Sequence, residues 1–85
     1  MAKEITVEQA VTQFHWACAL ILKHKTSKAL NYCVPYAQAG GYMDDPHEIH
    51  FQVPYVLSNM IYWRGDVAVK VRKYLKEVQH VLRNY

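Results

Sequence analysis

The tripeptide Val-Pro-Tyr occurs twice in this chain, at Val34-Pro35-Tyr36 and at Val53-Pro54-Tyr55. Both copies fall in segments whose apolar spacing is otherwise helical, and this restricts the fold more than any other feature. A proline removes one helical hydrogen bond and clashes with the preceding turn, so each segment is expected to bend or break there. The match extends upstream, where Leu30 corresponds to Ile49 and Tyr32 to Phe51. Two elements so alike predict a paired, shaped structure lined with aromatic rings.

The remaining punctuation predicts an all-α chain, a compact bundle of about four helices in one domain spanning residues 1–85. The expected spans are 7–24, 27–39, 46–64 and 67–83, the middle two kinked or split at Pro35 and Pro54. Thr6 and Gln9 form a capping-box pattern at the first start. From there Val7, Ala10, Val11, Phe14, Ala17, Cys18 and Ile21 recur at three- and four-residue steps, the mark of one buried helical face. Trp16, Ala19 and Leu20 add apolar surface off that stripe, as expected of a central or oligomer-facing helix. Ala29, Leu30, Cys33 and Ala37 point the second segment inward, and Gly40-Gly41 is expected to end it through a left-handed cap. Asp45, Pro46 and Glu48 open the third segment as cap, first helical residue and capping-box acid. Ile49, Val53, Val56, Met60 and Trp63 form its inward stripe. Gly65 stops it and Asp66 caps the fourth, where Val67, Val71, Tyr74, Val78, Val81 and Tyr85 form a heptad-like seam widened by Leu75 and Leu82.

Size and composition then bear on partners. A chain of 85 residues buries only about two thirds of its unfolded surface. With 52% apolar residues, including seven tyrosines, two tryptophans and two phenylalanines, so small a core cannot hide everything. Large apolar patches on monomers are uncommon, so the expected partners are a second copy, giving a homodimer, and a foreign protein. The opening residues lack the pattern of an export signal. The longest nearly apolar run, residues 14–22, is too short to cross a bilayer. The expectation is a cytoplasmic protein, of a bacterial cell or its host, without membrane contact. Cys18 and Cys33 lack metal or redox spacing and read as buried free thiols. They fall at the same level if the first two segments form a hairpin, so a bridge is geometrically open but disfavoured in a reducing cytosol.

Three groups of side chains are candidates for function. Phe51, Tyr55, Ser58 and Tyr62 share a helical face distinct from the inward stripe, and Tyr32 and Tyr36 hold the matching place on the second segment. This aromatic strip, Tyr32, Tyr36, Phe51, Tyr55 and Tyr62, reads either as a contact surface, since tyrosine offers area, a polar tip and few rotamers to freeze, or as packing wrapped round the core. The net charge of +3 is concentrated at the end of the chain, where residues 64–85 hold six basic side chains against Asp66 and Glu77. Arg64, Lys70, Arg72, Lys73, Lys76 and Arg83 could follow a phosphate backbone, making nucleic acid an alternative partner, although solvating charge opposite a core seam has the same pattern. His47 and His50 stand three apart beside Asp44, Asp45 and Glu48 and are the weak candidates for a metal, which gives a metal-binding protein or enzyme as a second alternative; they lack the four-residue His spacing of zinc hydrolases. No cofactor motif is present. Ser27 and Ser58 have no neighbouring His–acid arrangement, and no glycine-rich phosphate loop occurs, so a non-enzymatic module is expected. The Arg64-Gly65-Asp66 tripeptide spells an integrin-binding sequence, but a helix stop followed by a cap accounts for it locally.

Residues 57–78 read Leu-Ser-Asn-Met-Ile-Tyr-Trp-Arg-Gly-Asp followed by a basic amphipathic helix. This segment, about a quarter of the chain, resembles the C-terminal part of small uncharacterised proteins of bacteriophages and mobile elements. The resemblance implies a bacterial intracellular setting and a role in binding or blocking a host protein. It transfers no functional residue to this chain. The sequence thus points to a helical module that acts by protein–protein contact.

Overall fold

The first helix, α1 (Val7–Lys23), begins at a closed capping box. The Gln9 amide donates to Thr6 Oγ1 at 3.1 Å, and the Thr6 amide to Gln9 Oε1 at 2.8 Å. The computed structural model describes residues 5–83 and 85; the opening residues 1–4, read above for an export signal, lie outside them. Among the described residues the chain is all-helical, with four α-helices and no strand.

The second predicted helix is split. After α1 the backbone runs through turns and a short 3-10 stretch, Lys28–Leu30, before α2 (Val34–Gly40) begins. Pro35 lies in the first turn of α2. There its missing N–H costs nothing, because the first amides of a helix have no partner within it. Pro54 behaves differently. It lies inside α3 (Pro46–Ser58), which continues through it. Asp45 caps α3 by accepting the His47 amide at 2.9 Å, one residue before the Glu48 amide that a capping box would use.

The third helix ends at Ser58, six residues short of the predicted 64. In its last turn side chains reach back to the carbonyls four residues earlier, Ser58 Oγ donating to Pro54 and Asn59 Nδ2 to Tyr55, both at 2.7 Å, while the Asn59 amide also reaches the Tyr55 carbonyl at 3.2 Å. Such local bonds offer the backbone an alternative to the helical ladder. Residues 59–62 form turns, yet Met60 and Trp63 remain buried, so the inward stripe outlasts its helix. Gly65 then takes a φ of 112°, a left-handed conformation that suits glycine because it has no Cβ. The fourth helix, α4 (Asp66–Arg83), follows, with Asp66 in its first turn rather than at the cap.

Helix α1 packs against all three others, most extensively against α4; α3 bridges α4 and α2. The molecule is only 18 Å thick along its shortest axis, about two helix diameters, so each helix keeps a flank in solvent. The core joins Phe14, Ala17, Cys18 and Ile21 of α1 to Leu30, Cys33, Ala37, Ile49, Val53, Val56, Met60 and the inner side of α4. That inner side is Ala68, Val71, Leu75, Val78 and Leu82. The seam is therefore rotated from the predicted one: Val67, Tyr74 and Val81 are half-buried flanks, whereas Leu75 and Leu82 are central. Both lines have alternating three- and four-residue spacing, and the wholly apolar Leu75 and Leu82 take the deeper place while Tyr74, with its polar tip, stays at the flank.

Gly40 also differs from expectation. Gly41, which follows α2, is right-handed with a φ of −63°, so no left-handed cap is formed. Gly40 is buried at the end of α2 against α1, where an added Cβ would meet the Phe14 ring. The glycine is there for close approach. No helix among the described residues is long and apolar enough to cross a membrane.

Candidate functional site

The formal charges of this chain are absent from two long stretches. No Asp, Glu, Lys or Arg occurs from Ala29 to Met43, or again from Ile49 to Trp63. These stretches build α2, most of α3 and the turns beside them. Since α2 and α3 pack against each other, the two stretches are neighbours in the fold.

The Val-Pro-Tyr repeat determines what that side shows to solvent. Most corresponding positions have corresponding burial: Leu30 and Ile49 are in the core, as are Ala37 and Val56, while Tyr32 and Phe51, Pro35 and Pro54, and Tyr36 and Tyr55 are all exposed; the exceptions are Val34, half-buried where Val53 is in the core, and Cys33, buried where Gln52 is half-buried. The register is preserved although Pro35 starts a helix and Pro54 lies within one. The Tyr36 and Tyr55 rings stack at 5.6 Å between centroids and 5° between planes. Beside them Gln52 Nε2 donates to the Tyr36 carbonyl at 2.9 Å, tying α3 to α2. The ring faces are thus held by contacts within the chain.

Of the two readings of the strip, packing round the core is overturned for most of it. Tyr32 is 80% exposed, Phe51 72%, Tyr55 54% and Tyr62 81%, and even the stacked Tyr36 retains 36%. Ile61 and Tyr42, within the same uncharged stretches, are also exposed. Apolar spacing did not single these two out, and Tyr62 lies beyond the end of α3 at Ser58, so it does not share the helical face expected for it with Phe51 and Tyr55.

The basic set on α4 divides. Arg64, Lys70, Lys73, Lys76 and Arg83 are exposed, and the Lys70 ammonium lies 5.8 Å from the centre of the Tyr74 ring. Arg72 is half-buried, and its guanidinium donates to the carbonyls of Met60, at 3.0 Å, Ile61, at 3.3 Å, and Trp63. It holds the turn between α3 and α4, where these carbonyls lie beyond the end of the helix. Sequence reasoning placed it with the outward charges because its spacing on α4 is the same as theirs.

His47 and His50 have different surroundings. His47 is exposed, with Nδ1 3.5 Å from Asp45 Oδ1 and its ring 4.9 Å from that of Tyr85. His50 packs edge-on to Phe51, and its Nδ1 is buried without a hydrogen-bond partner. Among the described residues no three His, Cys, Asp or Glu side chains gather where they could hold a metal. His15, which the sequence did not single out, clasps α1 to the connection before α3: its Nε2 lies 2.6 Å from the Met43 carbonyl and 3.8 Å from Asp44. A nitrogen that close to a carbonyl carries the proton.

Both cysteines are free and buried. Burial pushes the Cys18 thiol up to about 12, with neighbouring Cys33 adding to the rise, and pushes Cys33 up to about 11. The Cys33 thiol points at the Val56 carbonyl, 3.6 Å away. Protonated thiols are poor nucleophiles. Gln13 is a buried polar residue missed by pattern reading; Nε2 donates to the Tyr74 carbonyl at 3.1 Å and so links α1 to α4. It borders an open groove of about 350 Å³ lined by Ile5, Glu8, Gln9, Thr12 and Trp16. No protein-family model, no curated protein and no solved structure matches this chain.

Proposed function

We propose that this protein is a non-enzymatic contact module whose working surface is the uncharged aromatic side formed by α2 and α3. One observation carries the reading: large aromatic side chains stand exposed on a surface without formal charge, and two of them are already stacked against each other. An aromatic surface of this kind gains from desolvation on contact, and tyrosine loses little rotamer freedom there. The lack of charge argues against recognition of a phosphate or a metal by the same surface. The resemblance of residues 57–78 to phage and mobile-element proteins favours a host protein among foreign partners.

The test is site-specific photocross-linking in cells that express the chain, with a benzophenone amino acid replacing Phe51 or Tyr62 and, as control, Lys73. The expected result is a protein adduct from the first two positions and none from the third. Absence of any protein adduct from Phe51 and Tyr62 refutes the reading. Nucleic-acid adducts from Lys73 would instead support binding along α4, in which case Lys73→Glu with Lys76→Glu should abolish it. That alternative has less support, because Arg72 already serves the α3–α4 turn.

A further inference from the structure

We infer that the occupant of this surface is a second copy of the chain, in a two-fold symmetric dimer joined α2–α3 to α2–α3. The inference rests on the contact reading above and adds the partner. Three observations support it.

The first is electrostatic. In a two-fold interface the same patch is used by both subunits, so charges near the axis meet charges of the same sign. The stretches from Ala29 to Met43 and from Ile49 to Trp63 hold no Asp, Glu, Lys or Arg, so the middle of the surface meets its own image without that penalty, and charge enters only at its margins, at the exposed Lys28, Asp44, Glu48 and Arg64. The same absence leaves a charged partner nothing to pair with. The exposed cations Lys70, Lys73, Lys76 and Arg83 belong to α4, which packs chiefly on α1 and α3; Lys28 and Arg64 stand at the edges of the uncharged stretches.

The second is chemical likeness. The repeat gives α2 and α3 the same exposed groups, an aromatic ring, a proline and a tyrosine. Within one chain such groups already pack on each other, Tyr36 on Tyr55 at 5.6 Å. A second copy brings to each half of the surface the chemistry that it packs against internally.

The third is area. At about 200 Å² apiece, the exposed fractions of Tyr32, Tyr36, Phe51, Tyr55 and Tyr62 amount to roughly 650 Å² of aromatic surface. A standard stable interface takes about 800 Å² from each partner. Ile61 and the two exposed prolines lie within the same uncharged stretches and reduce the difference.

Light scattering after size exclusion, at micromolar concentrations and at low and high salt, tests the inference. The wild type should run at twice the 10.0 kDa chain mass, with little response to salt because no charge pairs cross the interface. Phe51→Glu, and separately Tyr62→Glu, should run at 10.0 kDa with unchanged helical circular dichroism, since both side chains are exposed. Lys73→Glu should remain dimeric. A monomeric wild type at every concentration overturns the inference, and so does a dimer that survives both glutamate substitutions. The two readings fail separately: a monomer that still gives adducts to another protein from Phe51 refutes the second copy and leaves the contact module standing.

Discussion

Replacing Gly40 with alanine sets two effects of known sign against each other. Alanine is favoured over glycine in a helix by about 1 kcal/mol in the interior, and Gly40, the last residue of α2, gains only part of that. Against this, the new Cβ would lie 2.8 Å from Phe14 Cζ and 2.9 Å from both Phe14 Cε2 and Cys18 Sγ. All of these are closer than carbon atoms in van der Waals contact, about 3.5–4.0 Å. The ring cannot retreat freely, because Phe14 is fully buried in the centre of the core. Overpacking of this kind costs about 1–3 kcal/mol. The expected net result is a destabilisation of about 1–2 kcal/mol. For a domain of this size each kcal/mol lowers Tm by roughly 4–8 °C. Urea unfolding followed by circular dichroism measures it, with a lower midpoint and an unchanged slope. Repeating the substitution in a Phe14→Leu background, which removes Cζ and Cε2, should recover part of the loss, since contacting residues couple by ~0.5–3 kcal/mol. A Gly40→Ala variant as stable as the wild type, or an equal cost in both backgrounds, refutes the reasoning.

Three other perturbations test separate supports. Arg72→Lys should destabilise by about 1–3 kcal/mol, nearly as much as Arg72→Met. One ammonium cannot reproduce the guanidinium that serves Met60, Ile61 and Trp63; equal stability of the Lys variant and the wild type in urea would remove Arg72 from this role. Thr6→Ala opens the capping box and should cost about 1 kcal/mol, read as a fall in urea midpoint, whereas no change would mean the α1 start is held by packing alone. The thiols give a pH signature. Their folded values, about 12 for Cys18 and about 11 for Cys33, lie above the ordinary 9.0, so above pH 9 the unfolded chain releases protons that the folded chain retains. Stability is fully present below that pH and declines as pH rises towards the folded values, by about 1.4 kcal/mol per pH unit for each thiol. Cys33→Ala should flatten the decline in pH-dependent denaturation, and an unchanged slope would contradict the assignment.

Where local chemistry decides an outcome, the sequence was sufficient. Thr6 with Gln9, and Asp45 with Pro46, locate helix starts because capping involves residues within one turn of each other. The stripe Ile49, Val53, Val56, Met60 and Trp63 was legible as buried, since apolar spacing records which side of an element faces the core. Even there the helix ended at Ser58 while the stripe continued. Periodicity reports burial, which a turn can maintain as well as a helix, as at Met60 and Trp63 beyond Ser58. The candidate strip was legible as residues but not as a surface: spacing alone left Tyr32, Phe51 and Tyr62 equally suited to packing or exposure.

The sequence by itself determined an all-α chain, the starts of α1 and α3, the inward stripe of α3 and the doubled Val-Pro-Tyr, because each depends on neighbours within a turn or two along the backbone. Only the tertiary structure decided that Pro35 begins a helix while Pro54 lies within one, and that α4 turns Leu75 and Leu82 inward. It also assigned Gly40 to close packing and Arg72 to carbonyls from another element, and it stacked Tyr36 on Tyr55. These outcomes depend on atoms far apart in the chain. A proline, glycine, arginine or tyrosine has the same local preferences in either role, and only the neighbour brought up by folding selects between them.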